Sequence, residues 1–231
     1  MFRSRHAAVL YAALGAVHVA GVAVHNDLVD DVTKPLLMPA LALYALAAHR
    51  ERGARISRRL VASLAFAWAG DVTLQLGGTV ALIVGMLFFA CAYGIYALEF
   101  IRGGAFRRRR RWLYLIGYGA SAGAALAWLW PGLSERGVAW PMAGYAALMT
   151  AMAASASSWG WRVGLGGGLL LASDTLIGVG LAEAAGVPGR DALVMITYLL
   201  GQALVVAGWT ARAPRPEPSH PASRPADLVP A

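Results

Sequence analysis

The chain has 231 residues, 58% of them hydrophobic and 14% charged, with a formal charge of +8. A soluble domain carries about 25% charged residues, so a soluble globular fold is excluded, and apolar runs near bilayer length, about 17 to 25 residues, recur along the chain. The single cysteine, Cys91, excludes a disulfide framework and a zinc-type cluster; within an apolar run it reads as a small buried side chain.

A short basic segment, Met1 to His6, precedes the first apolar span, Ala7–His25. Its length, and a chain that stays apolar after it, favour a retained helix over a cleaved signal peptide. Further spans follow at Thr33–Ala48, Leu60–Leu76, Val80–Phe100, Trp112–Trp130, Val138–Ser158, Trp161–Leu181 and Asp191–Thr210. The second is short for a full crossing, and the seventh is rich in glycine. The expected fold is an all-α, polytopic bundle of eight transmembrane helices over residues 1–211. Residues 212–231 form a tail in which six of the eleven prolines follow Ala213, a composition expected to be disordered.

With the N-terminus inside, all basic residues except Lys34, Arg136 and Arg190 fall on the inner segments, and the first outer loop carries Asp27, Asp30 and Asp31. The positive-inside rule then places both termini in the cytoplasm, in a multi-pass cell (inner, cytoplasmic) membrane protein. An odd number of spans would break the alternation. The run Arg107 to Arg111 adjoins two spans and reads as a topology anchor touching anionic headgroups, not as a nucleic-acid site.

Two acidic residues lie well inside apolar spans: Asp71 in FAWAGDVTLQL and Asp174 in LLASDTLI. A charge at that depth costs about 2.5 to 3.5 kcal/mol on insertion scales, so such residues are functional candidates by default. Both spans run from inside to outside, and Ala69-Gly70-Asp71 resembles Ala172-Ser173-Asp174, which points to a parallel four-plus-four repeat with the two carboxylates facing each other. Two carboxylates in one low-dielectric pocket do not both ionise readily, and an acid beside a base is what acid/base hydrolysis requires. The structural alternative has each aspartate neutral and hydrogen-bonded to a neighbouring helix.

Lys34, the only lysine, sits in Thr33-Lys34-Pro35, where Thr33 is a candidate N-cap and Pro35 falls in the first turn. A cation there opposes the helix dipole, so it calls for a partner, an aspartate or a substrate phosphate, unless it merely snorkels to the interface. Gly85, Phe89, Tyr93 and Tyr96 share one helix face, as do Tyr198 and Gln202, and Gln75 lies one turn beyond Asp71. Individually these read as packing and interhelical bonding; together they furnish a polar pocket. Tryptophans and tyrosines near span ends read as interfacial anchors. The Gly164 to Gly168 run lacks the Gly-Lys-Ser/Thr of a phosphate loop and reads as close helix packing, and His18 and His25 are too isolated to suggest a metal.

The order Lys34-Pro35-Leu36, Gly70-Asp71, Gly85 with Phe89 and Tyr96, Ser173-Asp174, then Thr197-Tyr198 with Gln202 resembles the YhhN family of lysoplasmalogenases over about residues 33–203. The resemblance implies an eight-helix membrane enzyme that hydrolyses the vinyl ether of a lysoplasmalogen to a fatty aldehyde and glycerophospho-ethanolamine or -choline. It makes Asp71 and Asp174 the catalytic candidates. Lys34, Tyr93, Tyr96, Ser173, Tyr198 and Gln202 become substrate-binding candidates, with Lys34 on the phosphate. No metal or organic cofactor is implied; the partners are a lysophospholipid and the bilayer. Family members commonly carry histidine where this chain has Tyr93, and a tyrosine of ordinary pKa about 10 does not replace a group titrating near 6.5. Asp71 lies nearer the outer end of its span, so the pocket is expected to open toward the outer leaflet, with the chain of the lipid entering sideways. The rival readings are a hydrolase of another lipid, a proton-coupled transporter or lipid-binding protein, and a purely structural membrane protein.

Overall fold

A computed structural model describes residues 3–107 and 111–212; Arg108 to Arg110 of the expected anchor and the proline-rich tail lie outside the described residues. Eight helices follow in order: α1 Ser4–Ala23, α2 Asp27–Glu51, α3 Arg58–Gln75, α4 Gly78–Arg102, α5 Trp112–Glu135, α6 Ala139–Ser157, α7 Trp161–Leu181 and α8 Arg190–Ala211. Among the described residues no strand occurs. Helices of 18 to 25 residues measure about 27 to 38 Å at a 1.5 Å rise, against about 30 Å of hydrocarbon. Six are long and apolar enough to cross a membrane, all but α3 and α6. Of the two exceptions, α3 holds Arg58, Arg59, Asp71 and Gln75, and α6 holds Thr150, Ser155 and Ser157. Helix α3 packs against α2 and α4, and α6 against α4, α5 and α7, which buries Asp71, Thr150 and Ser155 while Arg58 and Arg59 stay exposed at the start of α3.

The glycine-rich span and the short span both become full-length helices. Helix α2 starts at Asp27, six residues before its apolar run, capped by Asn26, whose side chain accepts from the Val29 N–H at 3.1 Å, with Asp27 and Asp30 in the favourable first turn. The expected cap at Thr33 is therefore corrected. Thr33 lies inside the helix, donating to the Val29 carbonyl at 2.5 Å, and Lys34 is too far along for the dipole to act on it. Pro35 and Pro39 are interior. A proline removes the bond to the carbonyl four residues back, and the carbonyl that Pro39 leaves open, that of Pro35, accepts instead from the Trp68 indole of α3 at 2.9 Å.

The helices alternate up and down. At one end Glu51 accepts from the Ser4 hydroxyl at 2.5 Å, Arg59 bonds Glu99 at 2.5 Å, Arg52 donates to the Ala211 carbonyl at 3.0 Å and the Trp159 indole donates to the Phe100 carbonyl at 3.0 Å. Arg111 donates to the Gly104 and Ala105 carbonyls there, and Arg212 to that of Trp159. The arginine-rich loops thus gather at one end of the bundle. At the other end Gln75 donates to the Asp30 carbonyl at 3.2 Å, and Arg136 pairs with Glu183.

Helix pairing follows a four-plus-four plan. Within each half the helices pair first with second, second with third and third with fourth; between halves α4 packs on α6 and α8 on α2, which are equivalent contacts. The symmetry is incomplete, because α1 also packs on α8 while α5 stands outside on α6 and α7. Close approach is set by glycine. A Cβ on Gly166 would stand 2.8 Å from the Gly201 carbonyl oxygen, and one on Gly201 3.0 Å from that of Gly166, so α7 and α8 touch backbone to backbone. Packing is thus the role of the glycine run.

The core is built on the predicted face of α4. Phe89, Tyr93, Tyr96 and Phe100 are all buried, and their rings follow one another at 5.8, 6.4 and 6.2 Å. Trp159 and Trp209 close the column at the arginine-rich end, Trp159 4.8 Å and Trp209 6.1 Å from Phe100. Both are buried, which corrects their reading as interfacial anchors. Cys91 is corrected as well: it is exposed on the outside of α4, facing where lipid would lie.

Candidate functional site

Above the aromatic column the bundle opens into a cavity of about 510 Å³ at the end away from the arginine-rich loops. Two glycines bring α3 and α4 together beneath it. A Cβ on Gly70 would stand 2.8 Å from the Phe89 ring, and one on Gly85 2.8 Å from Leu74. This contact seats Asp71, the next residue, in the cavity wall, buried to 3% exposure. Asp174 reaches the same cavity from α7, and the two are within electrostatic reach of each other.

Each carboxylate is held by one tyrosine. The Tyr198 hydroxyl of α8 donates to Asp71 Oδ2 at 2.8 Å, and the Tyr145 hydroxyl of α6 donates to Asp174 Oδ2 at 2.8 Å. Their settings are not equivalent under exchange of the two halves, since α8 corresponds to α4 and α6 to α2. The expected symmetric facing pair is therefore corrected to an asymmetric one, because each tyrosine comes from whichever helix happens to face its aspartate.

Of the remaining candidates, Lys34, Ser173 and Tyr198 line the cavity. Lys34 is half-buried and forms no ion pair with an acidic side chain among the described residues. The Ser173 hydroxyl donates to the Val194 carbonyl of α8 at 3.0 Å, so its proton is already committed to holding two helices together.

Tyr93, Tyr96 and Gln202 do not line the cavity. Tyr96 donates to Gln202 Oε1 at 3.0 Å within the core, and both are buried. Tyr93 is wholly buried against the rings of Phe89, Tyr96 and Tyr145, within electrostatic reach of both aspartates, and its hydroxyl has no hydrogen-bond partner among the described residues. These three form the floor beneath the site, not its wall. Helical spacing put them on the correct face but not at the correct depth.

Three residues in or beside the cavity carry no functional reading in the sequence: Arg190 lines it, and Tyr145 and His18 each contact one of its acidic residues. Tyr145 gave no signal there, since a lone tyrosine in an alanine-rich span reads as packing. Arg190 lines the mouth beside Gly180, its guanidinium 3.0 Å from Asp191. His18, read as isolated, is fully buried: its Nδ1 lies 2.8 Å from Thr33 Oγ1 and its Nε2 3.6 Å from Asp30 Oδ1. Thr33 spends its proton on Val29, so His18 Nδ1 must be the donor, which turns Nε2 toward the Asp30 carboxylate in the cavity wall. Among the described residues no cluster of histidine, cysteine and acidic side chains fit to hold a metal occurs.

A mouth carrying Lys34 and Arg190 among Asp27, Asp30 and Asp191, above two tyrosine-held aspartates, can take an anionic or zwitterionic group outside and a polar bond within. No curated protein and no solved structure matches the chain. The YhhN family model matches residues 29–209, which span every helix of the cavity except α1. This multi-pass membrane protein belongs to the YhhN family.

Proposed function

We propose that the protein hydrolyses the vinyl ether bond of lysoplasmalogen-type lysophospholipids. The observation that carries this reading is that two aspartates, each held by one tyrosine hydroxyl, line a single cavity whose mouth holds Lys34 and Arg190. The arrangement suits the chemistry. With one aspartate protonated and the other ionised, the acid delivers its proton to the vinyl carbon remote from oxygen, and the double bond shifts to give an oxocarbenium ion. The second carboxylate stabilises that cation and removes a proton from the water that attacks it. The resulting hemiacetal breaks its carbon–oxygen bond to release fatty aldehyde, and the glycerol oxygen leaves as an alcohol. One water is consumed and no net proton is needed. Tyr145 and Tyr198 fix the orientation of the two carboxyl groups throughout, and Lys34 holds the phosphate.

Applying the positive-inside rule to the arginine-rich end makes that end cytoplasmic. The cavity then opens to the outer leaflet of the cell membrane. A proton-coupled transporter on the same scaffold would have to open the aromatic column that fills the bundle below Asp71, whereas a hydrolase leaves it in place.

The test is aldehyde release from a lysoplasmalogen by purified protein in detergent, beside Asp71→Asn and Asp174→Asn. The expected result is release by the wild type and none by either folded variant. Release that survives both substitutions would sink the two-carboxylate mechanism. An inactive but folded wild type would sink this choice of lipid.

A further inference from the structure

A lipid seated with its phosphate at Lys34 and its reactive bond at the aspartates has nowhere along the bundle axis to put its hydrocarbon chain. Directly below lie Phe89, Tyr93, Tyr96 and Phe100, all buried and in ring contact. A second opening begins beside Asp174. It is an apolar cleft of about 40 Å³ between α5, α6 and α7, lined among others by Ala122, Leu126, Leu129, Tyr145, Met149 and Gly178. Asp174 stands in the wall of both this cleft and the polar cavity, and so is a residue the two share. Tyr145, its hydrogen-bond donor, also faces the cleft.

The helix that closes the cleft is the most loosely held of the eight. Only Leu129 and Leu133 of α5 are buried, and α5 packs chiefly on α6 and α7. Its other faces are open to lipid, so one thin helix separates the cleft from the bilayer. A second apolar recess, the larger groove of about 740 Å³ between α1 and α8, shares no lining residue with the polar cavity.

We propose that the cleft between α5, α6 and α7 is the lateral portal through which a single hydrocarbon chain passes from Asp174 into the bilayer, and that Gly178 sets its width. This deepens the reading of the cavity as a lysolipid site and rests on it. At about 40 Å³ the cleft is small beside the 510 Å³ of the polar cavity, so it admits one chain in file and excludes a second beside it. The ligand class is therefore single-chain phospholipids. Gly178 lies four residues after Asp174, on the same face of α7. A Cβ there would come to 3.2 Å from Leu129 Cδ1 and 3.6 Å from Met142 Cε, both ends of flexible side chains. Gly178→Val therefore displaces flexible side-chain ends, not backbone, and narrows the neck. Gly123→Val, with no atom within 4 Å of its Cβ, adds the same bulk to α5 in open space and serves as the control.

The probe is lysophosphatidylcholine with a diazirine at mid-chain, photolysed on the full chain in nanodiscs, with and without excess unlabelled lysolipid. Competed labelling on α5, α6 or α7 that Gly178→Val abolishes and Gly123→Val retains is the expected result. Competed labelling on α1 and α8 instead, or no competed labelling anywhere, would overturn the portal. The result is independent of turnover, so portal labelling by a protein that releases no aldehyde would reject the reaction and leave the portal standing. With turnover, Gly178→Val raises KM for a long-chain substrate about tenfold, the scale of one overpacking clash, and leaves a short-chain analogue unchanged. An equal effect on both chain lengths would overturn it.

Discussion

Asp71 and Asp174 differ less from each other than from every other acidic residue in the chain, and what distinguishes them is the tyrosine each one meets. A hydrogen bond to a charged group is worth about 1.5–3 kcal/mol, roughly 10- to 150-fold in rate if it acts in the transition state. Tyr145→Phe and Tyr198→Phe are accordingly expected each to lower kcat for aldehyde release by that factor with the fold retained, as steady-state kinetics would show; unchanged kcat would assign both hydroxyls to packing. Tyr93 carries a different expectation. Its hydroxyl is buried without a partner among the described residues, and an unpaired buried hydroxyl costs about 1–3 kcal/mol. Tyr93→Phe should raise the melting temperature in detergent and leave aldehyde release close to that of the wild type; a fall in the melting temperature would show that the hydroxyl is hydrogen-bonded in the folded protein.

Between elements, the informative features are places where the backbone itself is exposed to a neighbour. The Trp68 indole answers the carbonyl that Pro39 leaves open. In the wild type, Trp68→Phe should cost about 1 kcal/mol. In a Pro39→Ala background, where residue 39 regains its N–H and bonds that carbonyl within α2, the same change should cost nearly nothing. A double-mutant cycle of unfolding free energies reads the difference, and additivity would refute the coupling. At the α7–α8 crossing, Gly166→Val has no room beside Gly201 and should cost about 3 kcal/mol, the upper end of overpacking. Gly144→Val, with nothing within 4 Å of its Cβ, should be close to neutral in the same unfolding assay.

For the whole molecule, the arrangement of charge is the clearest signal. The arginine-rich loops converge at one end, and the mouth of the cavity, with Asp27, Asp30, Lys34, Arg190 and Asp191, lies at the other. If the arginine-rich end is cytoplasmic, a cysteine placed at Gly186 in a Cys91→Ala background should react with a membrane-impermeant maleimide in intact cells. One placed at Arg55 should react only after the cells are opened. The reverse pattern would turn the protein over and place the cavity mouth in the cytoplasm.

The sequence alone determined what depends on composition along one helix. Eight apolar spans, the face shared by Phe89, Tyr93 and Tyr96, the packing role of the glycine run and the prominence of Asp71 and Asp174 all follow from hydropathy and 3.6-residue periodicity, which neighbouring helices do not alter. The start of α2 did not follow. Asp27 to Asp31 are too polar for a hydropathy reading, and a helix can begin in a polar cap before its apolar run. The burial of Trp159 and Trp209 and the exposure of Cys91 also depend on which neighbour each side faces, and a periodic pattern does not name the neighbour. Tertiary structure alone decided that Tyr145 serves Asp174 while Tyr198 serves Asp71. It also put Tyr93, Tyr96 and Gln202 beneath the cavity and left α5 loosely held beside Asp174. Periodicity gives the direction of a side chain around its own axis; its depth and its partner come from the packing of helices distant in the chain.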